Sequence, residues 1–176
     1  MIWIEIIMKL CLIALLLVVI IPFASSGLRG AFFAPSDPRA IAQMIQMLEL
    51  KPSDTILDIG SGDGRVVIAL ARAGVHAIGV EKNIFLVWIS RLRIRHNGLQ
   101  NRAIIVHASI WSYSCRHLTG VTVFGIPYIM GRLEKKLQEE LPLGARVVSN
   151  RFIFPSWIPK RSQHNVHLYT QNTSMN

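Results

Sequence analysis

The sequence predicts an α/β domain, a parallel sheet with helices on both faces, preceded by an N-terminal transmembrane helix. Three observations predict it. From residue 55 onward short apolar runs alternate with stretches of helical periodicity, a glycine cluster separates the first such run from the helix after it, and the fourteen residues Leu10 to Phe23 carry no charge. Strands and helices alternating at this spacing imply a parallel sheet, because each crossover uses a helix to return the chain to the same end.

The apolar N-terminus comes first. Residues 2–23 match the ~20 residues that a bilayer's hydrocarbon core requires, and Glu5 and Lys9 lie near the start, where they can stay in the interface. A signal peptide is the alternative, with Lys9, the apolar run and the small residues Ala24-Ser25-Ser26 as a cleavage site. A buried core helix fits less well, since the run has no polar face. Residues 24–38 are small and punctuated by Gly and Pro, a linker that carries the aromatic pair Phe32-Phe33. Asp37 is placed to cap a helix with Pro38 at its first position, and Ile41, Met44, Ile45 and Leu48 follow at helical spacing. The expected organisation is an anchor over 1–26, a linker and pre-domain helix over 27–54, and one domain over 55–176.

Within that domain a turn at Lys51–Asp54 precedes a buried strand, Thr55–Ile59. A helix from Gly64 to Ala73 is closed by Gly74, and His76–Val80 is the second strand. The second helix runs from Lys82 to His96 and is closed by Asn97-Gly98. Ala103–Val106 and Val121–Ile126 are the third and fourth strands. Pro127 opens a helix to Glu140, Ala145–Asn150 is the fifth strand, and Val166–Thr170 is one more in the tail.

Charge narrows the partners without choosing among them. Beyond residue 26, 18 Lys and Arg face 9 Asp and Glu, so the folded body carries the whole net charge of +9. Such a surface attracts acidic proteins, nucleic acid or anionic lipid. The segment Arg91-Leu-Arg-Ile-Arg95-His96 concentrates it, with Arg91 and Arg95 on one helix face and Arg93 on another. Cys11 and Cys115 provide no disulfide framework. The six histidines show no metal-ligand spacing, and no metal is expected.

The chemistry concentrates after the first strand, where an open parallel sheet binds its ligand. The loop reads Gly60-Ser-Gly-Asp-Gly64. A dinucleotide-binding loop would read G-x-G-x-x-G and set a helix N-terminus against a pyrophosphate. Here Arg65 takes the last of those positions, Asp58 stands in the strand end and Asp63 in the loop. Negative charge repels a pyrophosphate and suits a cation. S-adenosylmethionine meets that requirement, with a sulfonium, an α-ammonium and a ribose but no phosphate. Glu81 closes the second strand, where a carboxylate can accept from both ribose hydroxyls.

Asp58-Ile-Gly-Ser-Gly-Asp-Gly-Arg65 resembles the first motif of Rossmann-like class I methyltransferases. The body further resembles the lysine methyltransferases that modify the adenine nucleotide translocase and the ATP synthase c-subunit in mitochondria, a family with prokaryotic members. The matching stretches are Ala34-Pro35-Ser36, Leu86-Val-Trp-Ile-Ser-Arg-Leu-Arg93, Val123-Phe-Gly-Ile-Pro127, Leu133-Glu-Lys-Lys-Leu137, Gly144-Ala-Arg-Val-Val148, and Arg151-Phe-Ile-Phe-Pro155 with Trp157. They cover roughly residues 32 to 160. The resemblance implies S-adenosylmethionine as cosubstrate at Asp58, Gly60, Gly62, Asp63, Gly64 and Glu81, and an adenine contact after the third strand. That family usually has Asp or Asn two residues before an aromatic there, whereas this chain has Ser109 before Trp111.

The expected reaction is N-methylation of a lysine on a membrane-associated protein, with the domain on the inner side of the membrane, where S-adenosylmethionine is made. Arg29 and Arg39 after the apolar run agree with that orientation. Aromatic walls suit a lysine stem and a methylated ammonium, and the candidates are Phe32, Phe33, Tyr128 and Trp157, flanked by Pro127. No residue is identified as a dedicated general base. The alternatives are methylation of a small molecule or nucleic acid, and a non-catalytic binding module on the same fold. Pro127-Tyr128 partly matches the Pro-Pro-Tyr motif of amino-directed nucleic-acid methyltransferases, but Gly125 and Ile126 replace the residues that should precede it, which disfavours nucleic acid.

Overall fold

The computed structural model describes residues 3–10, 13, 37–125 and 127–172. The chain divides into two compact units, Met1–Ala34 and Pro35–Asn176. In the first, residues 3–10 are helical and exposed. Among the described residues no helix is long and apolar enough to cross a membrane. The run Leu10–Phe23, on which the anchor expectation rests, lies outside the described residues apart from positions 10 and 13, as do Phe32 and Phe33.

The second unit is an α/β domain of the expected class, and its core takes in the helix expected to precede it. Its elements are α1 (Pro38–Leu48), β1 (Thr55–Ile59), α2 (Arg65–Arg72), β2 (His76–Glu81), α3 (Ile84–His96), β3 (Ala103–His107), β4 (Gly120–Val123), α4 (Pro127–Glu140), β5 (Arg146–Asn150), β6 (Arg161–Gln163) and β7 (Val166–Thr170). The strands form one seven-stranded sheet in the order β3-β2-β1-β4-β5-β7-β6. The first five are parallel, β7 runs antiparallel to β5, and β6 antiparallel to β7. The chain builds outward from β1 to β3 and then crosses to β4, so the order reverses between β1 and β4. β1 and β4 stay paired to their last residues, Ile59 and Val123. The connections that follow them lead to helices on opposite faces of the sheet, the place where an open α/β sheet forms its ligand crevice.

Alternation along the strands sorts the core into two layers. Ile56, Ala77, Ala103 and Ile105 join Met44, Met47 and Leu48 of α1, Val67 and Leu70 of α2, and Val87 and Ile94 of α3 on one face. Leu57, Ile78, Val121 and Val147 meet Met130, Leu133 and Leu137 of α4 on the other, with Cys115, Leu118, Phe154 and Tyr169. Three helices thus cover one face, and α4 with irregular segments covers the other. Cys115 is a buried free thiol, its pKa pushed up to about 11 first of all by burial.

Several boundaries differ from expectation for local reasons. Lys82 is not helical, because the Asn83 side chain accepts from the amides of Phe85 and Leu86 and starts α3 at Ile84. Gly64 does not open α2 but caps it from the left-handed region. β4 stops at Val123, well short of residue 126, as the chain turns toward Pro127. β3 runs one residue further than expected, to His107, and β5 begins one later, at Arg146. The short polar strand β6 has no hydrophobic alternation to signal it. It pairs with β7 across His164-Asn165, both in the left-handed region, as a two-residue hairpin turn demands.

Arg146 ties the layers together. Its guanidinium donates to the carbonyls of Leu48 (2.5 Å) and Glu49 (2.6 Å) at the end of α1 and pairs with Asp54 at 2.6 Å. Burial raises the Asp54 pKa, but the Lys51 amide, the Thr119 hydroxyl and Arg146 outweigh it and hold the carboxyl below its ordinary value. We expect Arg146→Gln to cost about 3 kcal/mol in urea unfolding at pH 7, since it leaves a buried carboxylate without its cation. Because the folded-state pKa is depressed, that difference persists at neutral pH and shrinks as pH falls through it, when Asp54 takes up a proton.

Candidate functional site

The site is built on the carboxyl ends of β1, β2 and β4. Beyond Ile59 the chain enters a loop in which Gly60, Gly62 and Gly64 all have positive φ (70°, 54° and 79°). A side chain would strain each of these positions. At Gly64 space forbids one as well, since an added Cβ would lie 2.7 Å from the Ser90 Cβ on α3. Gly79 in β2 has the same role from below, because a Cβ there would meet Ile105 Cδ1 and Ser61 Oγ at 2.5 and 2.6 Å. These two glycines let the loop settle against the sheet and α2 lie close to α3.

The loop is stitched to β2. Gly60 and Ser61 donate their amides to the Val80 carbonyl at 2.9 and 3.1 Å. The Glu81 carboxylate then bridges two segments, accepting from the Gly62 amide through Oε2 (2.9 Å) and from the Asn83 amide through Oε1 (2.8 Å). Each carboxylate oxygen keeps a second acceptor position. Glu81 is half-buried, so part of the residue stays open to solvent.

Asp58 lies deeper, beneath the loop. It is 5% exposed and accepts from the Thr122 hydroxyl of β4 at 2.8 Å, which spans the point where strand order reverses. Burial pushes its pKa up to about 7, the Thr122 hydrogen bond opposes this, and the nearby charges of Glu81 and Asp63 add to it. A cation in the crevice would favour the ionised form.

Asp63 also anchors the loop. Its carboxylate pairs with Arg65 at 2.8 Å and with Arg93 of α3, whose guanidinium also donates to the Asp63 carbonyl. Burial raises its pKa, but the two arginines outweigh that and keep it low. Its charge is therefore balanced within the protein, and it fastens the loop to α3. Ser109 follows β3 beside Glu81, whose strand partner is His107. The Ser109 hydroxyl accepts from the Trp111 amide at 3.3 Å and its carbonyl closes a turn with Ser112 and Tyr113. Trp111 is held by the Arg132 guanidinium, 4.1 Å above its ring.

Asp58, the three loop glycines, Glu81 and Ser109 thus converge along adjacent strand ends. The aromatic candidates behave differently. Trp157 packs within an inner cluster, 5.5 Å from Phe154 and 5.4 Å from Tyr169, while Tyr128 is exposed beside Pro127 at the start of α4. Residues that the sequence does not single out complete the β4–β5 side. Phe124 after β4 and Phe152 after β5 stack at 6.3 Å, and Arg151 beside Phe152 has φ of 76°. Thr122 had a signal of its own, as a polar residue in the centre of a fully buried strand must find a partner.

Comparisons with known proteins find similar methyltransferases. The family model described as the ANTKMT methyltransferase domain matches residues 58–161. The lysine N-methyltransferase of Rattus norvegicus named for the ATP synthase c-subunit is 41% identical over 140 residues, covering 78% of this chain and 64% of that protein. The adenine nucleotide translocase lysine N-methyltransferase of Mus musculus is 38% identical over 72% of this chain and 56% of its own length. A protein-lysine N-methyltransferase of Saccharolobus islandicus is 31% identical over 78% of this chain and 91% of its own. This chain spans just under two thirds of the rat relative. Among solved structures, an RNA methyltransferase from Salinibacter ruber in complex with S-adenosyl-L-homocysteine superposes with a TM-score of 0.77 at 26% identity, over 81% of this chain and 97% of that one.

The Asp58 environment has a measurable consequence. Its folded pKa of about 7 lies above its ordinary 3.8, so the proton stabilises the fold. Below pH 4 both folded and unfolded chains hold it. As pH rises toward 7 the unfolded state releases it first and the contribution is lost. Asp58→Asn, which can still accept from Thr122, is expected to differ little from wild type at pH 4. At pH 8 it should be more stable by roughly 2–4 kcal/mol in denaturant titrations. A difference independent of pH would rule out a buried, proton-binding Asp58.

Proposed function

This chain belongs to the family defined by the ANTKMT methyltransferase domain, and we propose that it transfers the methyl group of S-adenosylmethionine to a lysine side chain of a membrane-associated protein. The observation that carries the proposal is the Glu81 carboxylate. It is locked between the Gly62 and Asn83 amides at the lip of an acidic crevice, with lone pairs left for two vicinal hydroxyls. The donor set fits the cosubstrate: three glycines allow close approach, Asp58 and Glu81 favour a cation, and the Asp63 charge is already balanced, leaving no surplus of anions.

When bound, S-adenosylmethionine supplies an electrophilic methyl group on a sulfonium. The chain's own residues orient and exclude water. Glu81 fixes the sugar end, and Asp58, ionised beside a cation, holds the charged end. Ser109 offers a hydroxyl oxygen to the adenine amino group, a weaker contact than a carboxylate would make. The acceptor amine must be neutral and about 3–3.5 Å from the methyl carbon. A dry aromatic channel lowers a lysine pKa and receives the methylated product through cation–π contact. The Phe124–Phe152 stack supports such a channel beside β4 and β5, with Pro127 and Tyr128 next to it. The names of the relatives support lysine as the acceptor and a membrane protein as its carrier. The apolar run through residues 2–23 supports attachment to the membrane, with the domain on the inner side, where the cosubstrate is made.

The basic surface and the solved RNA methyltransferase support a second reading, methylation of nucleic acid. Full-length protein incubated with methyl-labelled S-adenosylmethionine and membranes from cells lacking it separates the two. Label is expected on lysine in a protease-sensitive membrane band, located by mass spectrometry, and label in RNA would overturn the lysine assignment. In calorimetry, Glu81→Ala should weaken cosubstrate binding by about tenfold or more, since two charge-assisted hydrogen bonds are lost. Unchanged affinity would remove Glu81 from the site.

A further inference from the structure

Helix α3 has an outer face that the domain leaves bare. At about 100° per residue, Leu86, Val87, Ser90 and Ile94 point inward and are buried, while Ile84, Phe85, Trp88, Ile89 and Leu92 fall on the opposite side. Trp88 is 70% exposed and Leu92 58%, and the other three lie between 39% and 47%. Together they present apolar surface on the order of 500 Å², at the upper end of what a soluble monomer shows. From Ile84 to Leu92 the helix carries apolar side chains on its outer as well as its inner side, the pattern of an element that expects a partner on both.

The rim identifies the partner. Residues 84–96 contain no Asp or Glu. Arg95 and His96 share the exposed side at its C-terminal end, and Arg91 and Arg93 flank the stripe. Arg93 spends its charge on Asp63. Arg91 donates to the neutral Ile105 carbonyl, at 3.1 and 2.8 Å, and so keeps its positive charge unbalanced. Arg95 has no ion-pair partner among the described residues. A stripe of Trp, Phe, Leu and Ile bordered by unpaired arginines is the composition of a helix that lies in a membrane interface, its rings at headgroup depth and its cations on lipid phosphates.

We propose that the outer face of α3 is a docking surface for an anionic lipid bilayer, distinct from any attachment through the N-terminal segment. Trp88 and Leu92 enter the interfacial layer, and Arg91 and Arg95 engage phosphate groups. Asn83, which caps α3, also donates its amide to Glu81, so the docked face begins beside the crevice. The bilayer then sits next to the site where an acceptor carried in a membrane would arrive.

The test uses the full chain with Cys11→Ser, leaving Cys115 buried and unreactive, and places an environment-sensitive nitrobenzoxadiazole label on Leu92→Cys. A matched protein carries the label on Ser162→Cys in the exposed β6 strand. Each is mixed with vesicles of phosphatidylcholine alone or with phosphatidylglycerol. On the anionic vesicles the label at position 92 should brighten several-fold, shift to the blue and be quenched by spin-labelled lipid, while the label at 162 stays unchanged. Adding Arg95→Gln should weaken that response about fivefold. No response at position 92, or equal responses at both positions, would overturn the proposal. So would a blue-shifted label in vesicle-free protein that depends on protein concentration, which would mean a second copy covers the face. The readout needs neither cosubstrate nor acceptor, so its failure would leave the lysine methyltransferase reading standing.

Discussion

The Glu81 carboxylate is the interaction on which the rest of the site depends. It accepts from Gly62 in the loop after β1 and from Asn83 at the start of α3, binding two crossover connections to one strand end. Backbone amides from two segments hold this carboxylate, and their positions do not depend on side-chain rotamers. The loop can reach it because Gly79 leaves room for the Ser61 side chain beneath and Gly64 lets α2 approach Ser90. Arg93 completes the arrangement by drawing Asp63 back toward α3. Four residue choices scattered over some thirty positions thus fix the shape of one short loop.

Much of this was legible in the sequence because it follows from spacing. The strand–helix alternation, the glycine loop and Glu81 at the end of β2 are local patterns whose consequences are set by periodicity and by the direction of a parallel sheet. What was not legible depends on contacts across the fold. Asp63 reads as a free anion until Arg93, thirty residues away, is seen to pair with it. That Trp157 packs with Phe154 and Tyr169 depends on β7 lying beside the segment after β5. Phe124 and Phe152 lie in stretches that carry the family resemblance, but their stacking follows from β4 and β5 being neighbours. The strand β6 escaped because its residues, Arg161-Ser-Gln163, are polar and exposed, and the turn at His164-Asn165 alone specifies the hairpin.

The two faces of the sheet are served unequally, and this shapes what the surface can do. α1, α2 and α3 close one layer, with α3 at the edge over β2 and β3. An edge helix has neighbours on one flank only, so an ordinary sequence would make its outer side polar. Here that side is Ile84, Phe85, Trp88, Ile89 and Leu92, retained against the cost of exposing them to water. Packing within the domain accounts least for Trp88 and Leu92, 70% and 58% exposed, since the inner side already supplies Leu86, Val87 and Ile94. The proposed bilayer contact would cover both.

The position of that face relative to the crevice connects binding to chemistry. A lysine in a membrane protein is delivered at a fixed height above the bilayer, and an enzyme tumbling freely would meet it in few productive orientations. A domain resting on α3 has its rotational freedom reduced before the acceptor arrives, so part of the entropy of alignment is already spent when the two meet. The Asn83 cap makes this arrangement stiff, because the same residue that starts the docked helix holds the Glu81 carboxylate in place. The crevice itself selects a cation through Asp58 and Glu81, yet the outer surface is strongly basic. The two charges do not conflict. The acidic groups lie inside, where burial strengthens their field over short distances, and the arginines lie outside, where the proposed docking would set them against lipid phosphates.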